Sequence, residues 1–137
     1  VRHRVNSNMN FISSILLRRF RQSWKMLDFV GQWIKKNVDE DVGYKTRVSA
    51  ELLREWIENV IETQFSIETK RKYVPIDIPK EDAEFLHKLF QFVRTIYTEF
   101  ADISMPDDYR TMLLGAATVI GDFGRAAFGP SGKQSYN

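Results

Sequence analysis

Few side chains in this chain are of the kinds that make and break bonds. Cysteine is absent, and His3 and His87 are the only imidazoles, so there is neither a thiolate nucleophile nor a cysteine-held zinc site. His87 is followed by Phe90 and Gln91 at the positions three and four residues on, where a helix would put a second ligand. The Gly121-x-x-Gly124 and Gly129-x-x-Gly132 spacings lack the Gly-Lys-Ser/Thr and the preceding strand of a phosphate loop. No nucleophile, base and orienting group share a spacing that would assemble a reaction centre. The expectation is a chain that is not an enzyme and holds no metal or cofactor.

The charged residues are patterned more strongly. Over residues 1–37 eight cations stand against one acid, Asp28, a local charge of +7, and the net charge of +2 then leaves −5 for the remaining 100 residues. Arg18, Arg19, Arg21, Lys25, Lys35 and Lys36 carry most of the positive charge, with Phe20 and Trp24 interleaved. Such cations neutralise phosphates while an aromatic ring stacks on a base, the pattern of a nucleic-acid contact. The same residues suit an anionic membrane surface, a helix seated in a groove, or a solvated face over a buried stripe. Glu55, Glu58 and Glu62 form the opposing feature, carboxylates at helical spacing that would meet a basic ligand or solubilise a helix.

Those side chains need elements to position them. Leu16, Phe20, Ser23, Leu27, Val30 and Ile34 recur at spacings of four and three, which predicts a helix over 10–37 with Lys35 and Lys36 at the negative end of its dipole. Asn37, Asp39, Asp41 and Gly43 read as a turn. A second helix is expected from an N-cap near Ser49 to about Phe65, burying Leu53, Ile57, Val60 or Ile61, and Phe65, widened by Leu52 and Trp56. Pro75 and Pro79 make 66–79 an expected extended linker.

A third helix should follow Pro79 with Glu81, Asp82 and Glu84 in its first turn, and a fourth should follow Pro106 with Asp107 and Asp108, ending at Gly129 and Pro130. Gly115, Gly121 and Gly124 in that last helix point to close approach of a neighbour. With 43% hydrophobic against 28% charged residues the chain can bury one core, and no apolar run approaches the roughly 18 residues of a membrane span, so no transmembrane segment is expected. The fold class is all-α: four main helices in antiparallel hairpins, a solenoid segment or a compact bundle, in a single domain over 1–137 with flexible tails at 1–10 and 131–137.

Phe90, Gln91, Phe92 and Val93, followed by Ala116, Ala117, Thr118, Val119, Ile120, Gly121 and Asp122 and then Phe128 and Gly129, resemble the late HEAT repeats of importin-β nuclear transport receptors over roughly residues 85–130. The helix opened by Glu51, Leu52, Leu53, Arg54 and Glu55 is similar to the first helix of a preceding repeat. The resemblance implies a HEAT-like solenoid segment whose relatives grip basic cargo or adaptor helices on an acidic concave surface and release them to the GTPase Ran. It would give Asp122 a ladder position that pairs with neighbouring repeats.

The functional expectation is a non-catalytic interaction module of the cytoplasm or nucleus. Its partner would be a basic peptide or adaptor helix, met by Glu55, Glu58, Glu62 and Asp122, and an oligomer is compatible with it. The alternative is a nucleic-acid-binding helical domain using Arg18, Arg19, Arg21, Lys25, Lys35 and Lys36.

Overall fold

The computed structural model describes residues 7–65, 70–100 and 105–129; His3, the C-terminal tail and the first part of the expected linker lie outside them. Leu17, Phe20, Ser23, Leu27, Val30 and Ile34 roll one face of helix α1 (Ser14–Asn37) into the interior. The helix starts where the Ser13 hydroxyl accepts from the Leu16 amide at 3.4 Å, and it ends with Lys35 and Lys36 at the negative pole.

The turn expected at residues 37–43 is much tighter. Only Val38 and Asp39 separate α1 from α2 (Glu40–Trp56). The Asp39 carboxylate accepts from the Val42 amide at 3.0 Å, and Glu40 and Asp41 occupy the positive first turn. The residues that read as loop formers are therefore a cap and a helix start, and α2 begins well before Ser49. Gly43 lies inside the helix because the neighbouring backbone is there: a Cβ would sit 2.3 Å from the Lys35 nitrogen and Cα.

Leu53, Ile57, Ile61 and Phe65 are buried at every fourth residue, which on an α-helix would walk the stripe about 40° around the axis per step. A π-helical segment (Ile57–Glu62) and a last α turn (Thr63–Phe65) continue α2; the wider turn takes up that drift.

The expected linker is extended but paired. Strand β1 (Ser7–Ser13) and strand β2 (Tyr73–Pro79) form an antiparallel ribbon in register from Ser7↔Pro79 to Ser13↔Tyr73, so residues 7–10 belong to a strand and not to a tail. Ile12, Val74, Ile76 and Ile78 face the core. The Asp77 amide donates to Gln64 Oε1 at 2.7 Å and its carbonyl accepts from Gln64 Nε2 at 3.0 Å, so at odd positions β2 turns its backbone away from β1. Pro75 and Pro79 share that parity, where a missing N–H breaks no ladder bond.

Helices α3 (Asp82–Phe100) and α4 (Asp107–Phe128) follow the expected bounds, and Gly129, at φ 101°, takes the positive φ that ends α4. Gly121 admits Phe90 of α3, whose ring would lie 2.8 Å from a Cβ there, but nothing lies within 4 Å of the Cβ position at Gly124.

The contacts Lys35 to Gly43, Asp28 to Arg47 and Arg21 to Glu62 run antiparallel along α1 and α2. Trp33 against Tyr109 and Phe20 against Phe123, at centroid distances of 5.9 and 4.0 Å, run antiparallel along α1 and α4. Trp56 closes the arrangement. Its ring lies 6.0 Å from Phe20, 6.4 Å from Phe123 and 6.1 Å from Phe85 of α3, and its Nε1 donates to Asp82 at 2.7 Å. The fold is all-α with one small ribbon, and the four helices close on a shared core as a bundle. Leu52, expected to widen the buried stripe, points outward instead.

Two stability outcomes follow. Alanine favours a helix over glycine by about 1 kcal/mol, so Gly124→Ala should stabilise by about 0.5–1 kcal/mol, whereas Gly43→Ala should destabilise by about 1–3 kcal/mol through overpacking; urea unfolding reads both. Burial raises the pKa of Asp82 above the usual aspartate range, with the Trp56 N–H opposing the rise and the Glu81 charge adding to it. The folded state thus holds this proton more tightly than the unfolded chain, and the stability it contributes in acid is lost as pH rises through the folded value. The stability of the wild type relative to Asp82→Asn should therefore fall as pH rises from the ordinary aspartate range through the folded value, and a flat difference would contradict this.

Candidate interaction surfaces

An N-cap at Asp39 places Tyr44, Val48 and Leu52 at intervals of four along α2. They lie on the side opposite buried Gly43, Thr46, Ala50 and Leu53, and are 61, 40 and 49% exposed. A surface helix ordinarily carries one apolar stripe; α2 carries two, one in the core and one facing solvent. Carboxylates stand at the ends of the outer stripe, Glu40 and Asp41 at one and Glu51 and Glu55 at the other, while Lys45 and Arg47 lie on its flanks, all exposed.

The three glutamates do not form one free strip. Glu55 stands exposed beside Leu52. Glu58 receives Arg54 Nη1 at 3.0 Å, and Arg54 also bonds Glu51, holding that carboxyl below its ordinary pKa range. Glu62 accepts from Arg21 Nε at 3.2 Å across the seam between α1 and α2. Glu58 and Glu62 are thus engaged by Arg54 and Arg21, and of the three only Glu55 stands beside the outward stripe with no cation paired to it among the described residues.

Asp122 pairs with Arg125 one turn on in its own helix. Both border an open groove of about 380 Å³ between α3 and α4, whose other walls include Arg94, Tyr97 and Thr118. The guanidinium of Arg94 lies 5.8 Å over the Phe90 ring.

The basic residues of α1 separate into two ends. Arg18 and Arg19 are exposed near its start and Lys35 and Lys36 near its finish, roughly 25 Å apart at the rise of an α-helix. Arg21 lies 5.0 Å over Phe65 in addition to its bond with Glu62, and Lys25 lies 5.8 Å over Trp24. The six are not one patch. His87 is half-buried on α3, with its Nε2 enclosed and unpartnered among the described residues. Among those residues no group of three or more His, Asp or Glu is placed to hold a metal ion, and no helix is long and apolar enough to cross a membrane.

The outward stripe is the feature that residue spacing alone does not yield, because a helix begun at Ser49 leaves Tyr44 and Val48 in a turn and Leu52 in the core. The signal was present in Asp39-Glu40-Asp41, which reads as a cap and first turn as readily as a loop. Serine at Leu52 should change stability by no more than about 0.5 kcal/mol, whereas Leu53→Ala should cost about 2–5 kcal/mol; equal losses in urea unfolding would mean that the helix is turned differently. No protein-family model, no curated protein and no solved structure matches this chain.

Proposed function

We propose that this domain is a non-catalytic interaction module whose outer α2 face receives an amphipathic basic helix from another protein. One observation carries the reading: Tyr44, Val48 and Leu52 form a solvent-facing apolar stripe on a helix whose opposite face is already buried. Apolar side chains at i, i+4 and i+8 are the contact set that a helix offers to a helix.

The carboxylates choose the partner. Glu40, Asp41 and Glu55 stand at the ends of the stripe, Arg47 and Arg54 are bonded to Asp28 and to Glu51 and Glu58, and Lys45 is the exposed cation on its flank. A helix with leucines on one side and lysines at its margins would cover the apolar strip and meet these acids. The resemblance of the last hairpin to importin-β repeats supports the same class of activity, with a transport cargo or adaptor as the partner in the cytoplasm or nucleus.

Titration calorimetry with a synthetic leucine- and lysine-based amphipathic helix tests this. Val48→Ser with Leu52→Ser should weaken binding by about tenfold or more, since each buried aliphatic side chain is worth about 1.5–3 kcal/mol. Glu55→Lys should weaken it further in low salt. Unchanged affinity in both variants would discard this face.

A further inference from the structure

We infer a second, separate surface, at the corner where the ribbon feeds α1, that docks on an anionic lipid membrane. Strand alternation puts Phe11 and Tyr73 on the outer face of the ribbon, because Ile12, Val74 and Ile76 take the inner one. Phe11 is 69% exposed and Tyr73 52%. In the first turn of the adjoining helix Ile15 is 65% exposed. Three large apolar side chains thus project from one corner, exposed among the described residues.

Cations ring that corner. Arg18 and Arg19 lie three and four residues after Ile15, on the same side of α1, and both are exposed. The Ser14 amide bonds the Lys72 carbonyl at 3.0 Å, which brings the exposed run Lys70, Arg71 and Lys72 against the start of α1; the Lys72 ammonium lies 5.7 Å over the Tyr73 ring. These five cations come from segments far apart in sequence. Arg18 and Arg71 have partners within the chain and Glu68 precedes the run by two residues, so the charge offered to a membrane rests on Arg19, Lys70 and Lys72; no acid occupies the first turn of α1.

The arrangement favours a lipid surface over a nucleic acid. Apolar tips within a basic ring enter the headgroup region while the cations stay among anionic phosphates. A single strand would stack its bases on rings set along a track of cations, whereas here the rings Phe11 and Tyr73 share the corner with aliphatic Ile15, which offers no stacking face.

Vesicle co-sedimentation of the full chain tests the inference, with phosphatidylcholine vesicles containing phosphatidylserine against pure phosphatidylcholine. Binding is expected only with phosphatidylserine and should weaken by about fivefold for each cation neutralised at Arg19, Lys70 and Lys72. The variant carrying Phe11→Ser and Ile15→Ser should also lose most of the binding, although its charge is unchanged. Val48→Ser with Leu52→Ser should leave vesicle binding intact, which separates this surface from the α2 face. Circular dichroism matched to the wild type confirms that each variant is folded. Absence of binding to phosphatidylserine vesicles, binding that survives both the apolar and the charge variants, or tighter capture of a single-stranded oligonucleotide through the same residues would each overturn the inference.

Discussion

Trp56 is the side chain on which the arrangement of the four helices turns. It projects from α2, meets Phe20 of α1, Phe123 of α4 and Phe85 of α3, and gives its indole proton to Asp82 at the first turn of α3. An indole that satisfies its N–H and places its ring among three partners fixes both the position and the rotation of the helix that carries it. Once α2 is turned so that Trp56 reaches α3, Leu53 and Ile57 face the core, and Tyr44, Val48 and Leu52 have nowhere to point but outward. The exposed stripe is therefore a consequence of how the core is closed.

The hairpin of α3 and α4 is legible in the sequence because its signals are local and agree. Proline and acids start each helix, the apolar spacing is unambiguous, and Gly129 supplies the positive φ that stops α4. The first half is harder, since its misreadings turn on a cap that also reads as a loop and on contacts that residue spacing does not announce. Gly43 looks like a turn residue until Lys35 is seen against it; its role is the absence of a side chain where two backbones nearly touch. The 73–79 segment looks like a linker until β1 is present, because prolines argue against a strand only where the N–H would be needed. A side-chain amide, Gln64, completes the outer edge at Asp77, and no periodicity announces that.

Charge follows the same division. The opposition between a basic first helix and an acidic body is visible in composition, but the fold spends part of it internally: Arg21 meets Glu62 and Asp28 meets Arg47 along the seam of α1 and α2. Exposed pairs of this kind contribute at most about 1 kcal/mol each. Their larger effect is on what remains. Removing Arg21 from the basic set and Glu58 and Glu62 from the acidic one leaves Glu55 beside the α2 stripe, and it leaves the start of α1 to draw its positive neighbours from Lys70, Arg71 and Lys72.

Both outward surfaces combine the same two elements, apolar side chains and one sign of charge, in opposite senses. On α2 the ends of the patch are acidic and the apolar residues form a line at helical spacing, a shape that a second helix can follow. At the ribbon corner the margin is basic and the apolar residues converge on a point, from two strands and a helix start, so that no helix or strand could run along them. Apolar area is indifferent to what covers it; the outline of the patch and the sign of its border are what discriminate. A line with carboxylates at its ends selects a cationic helix, and a point edged with guanidinium and ammonium groups selects a plane of anions, so a single small bundle can hold two surfaces that do not compete for one partner.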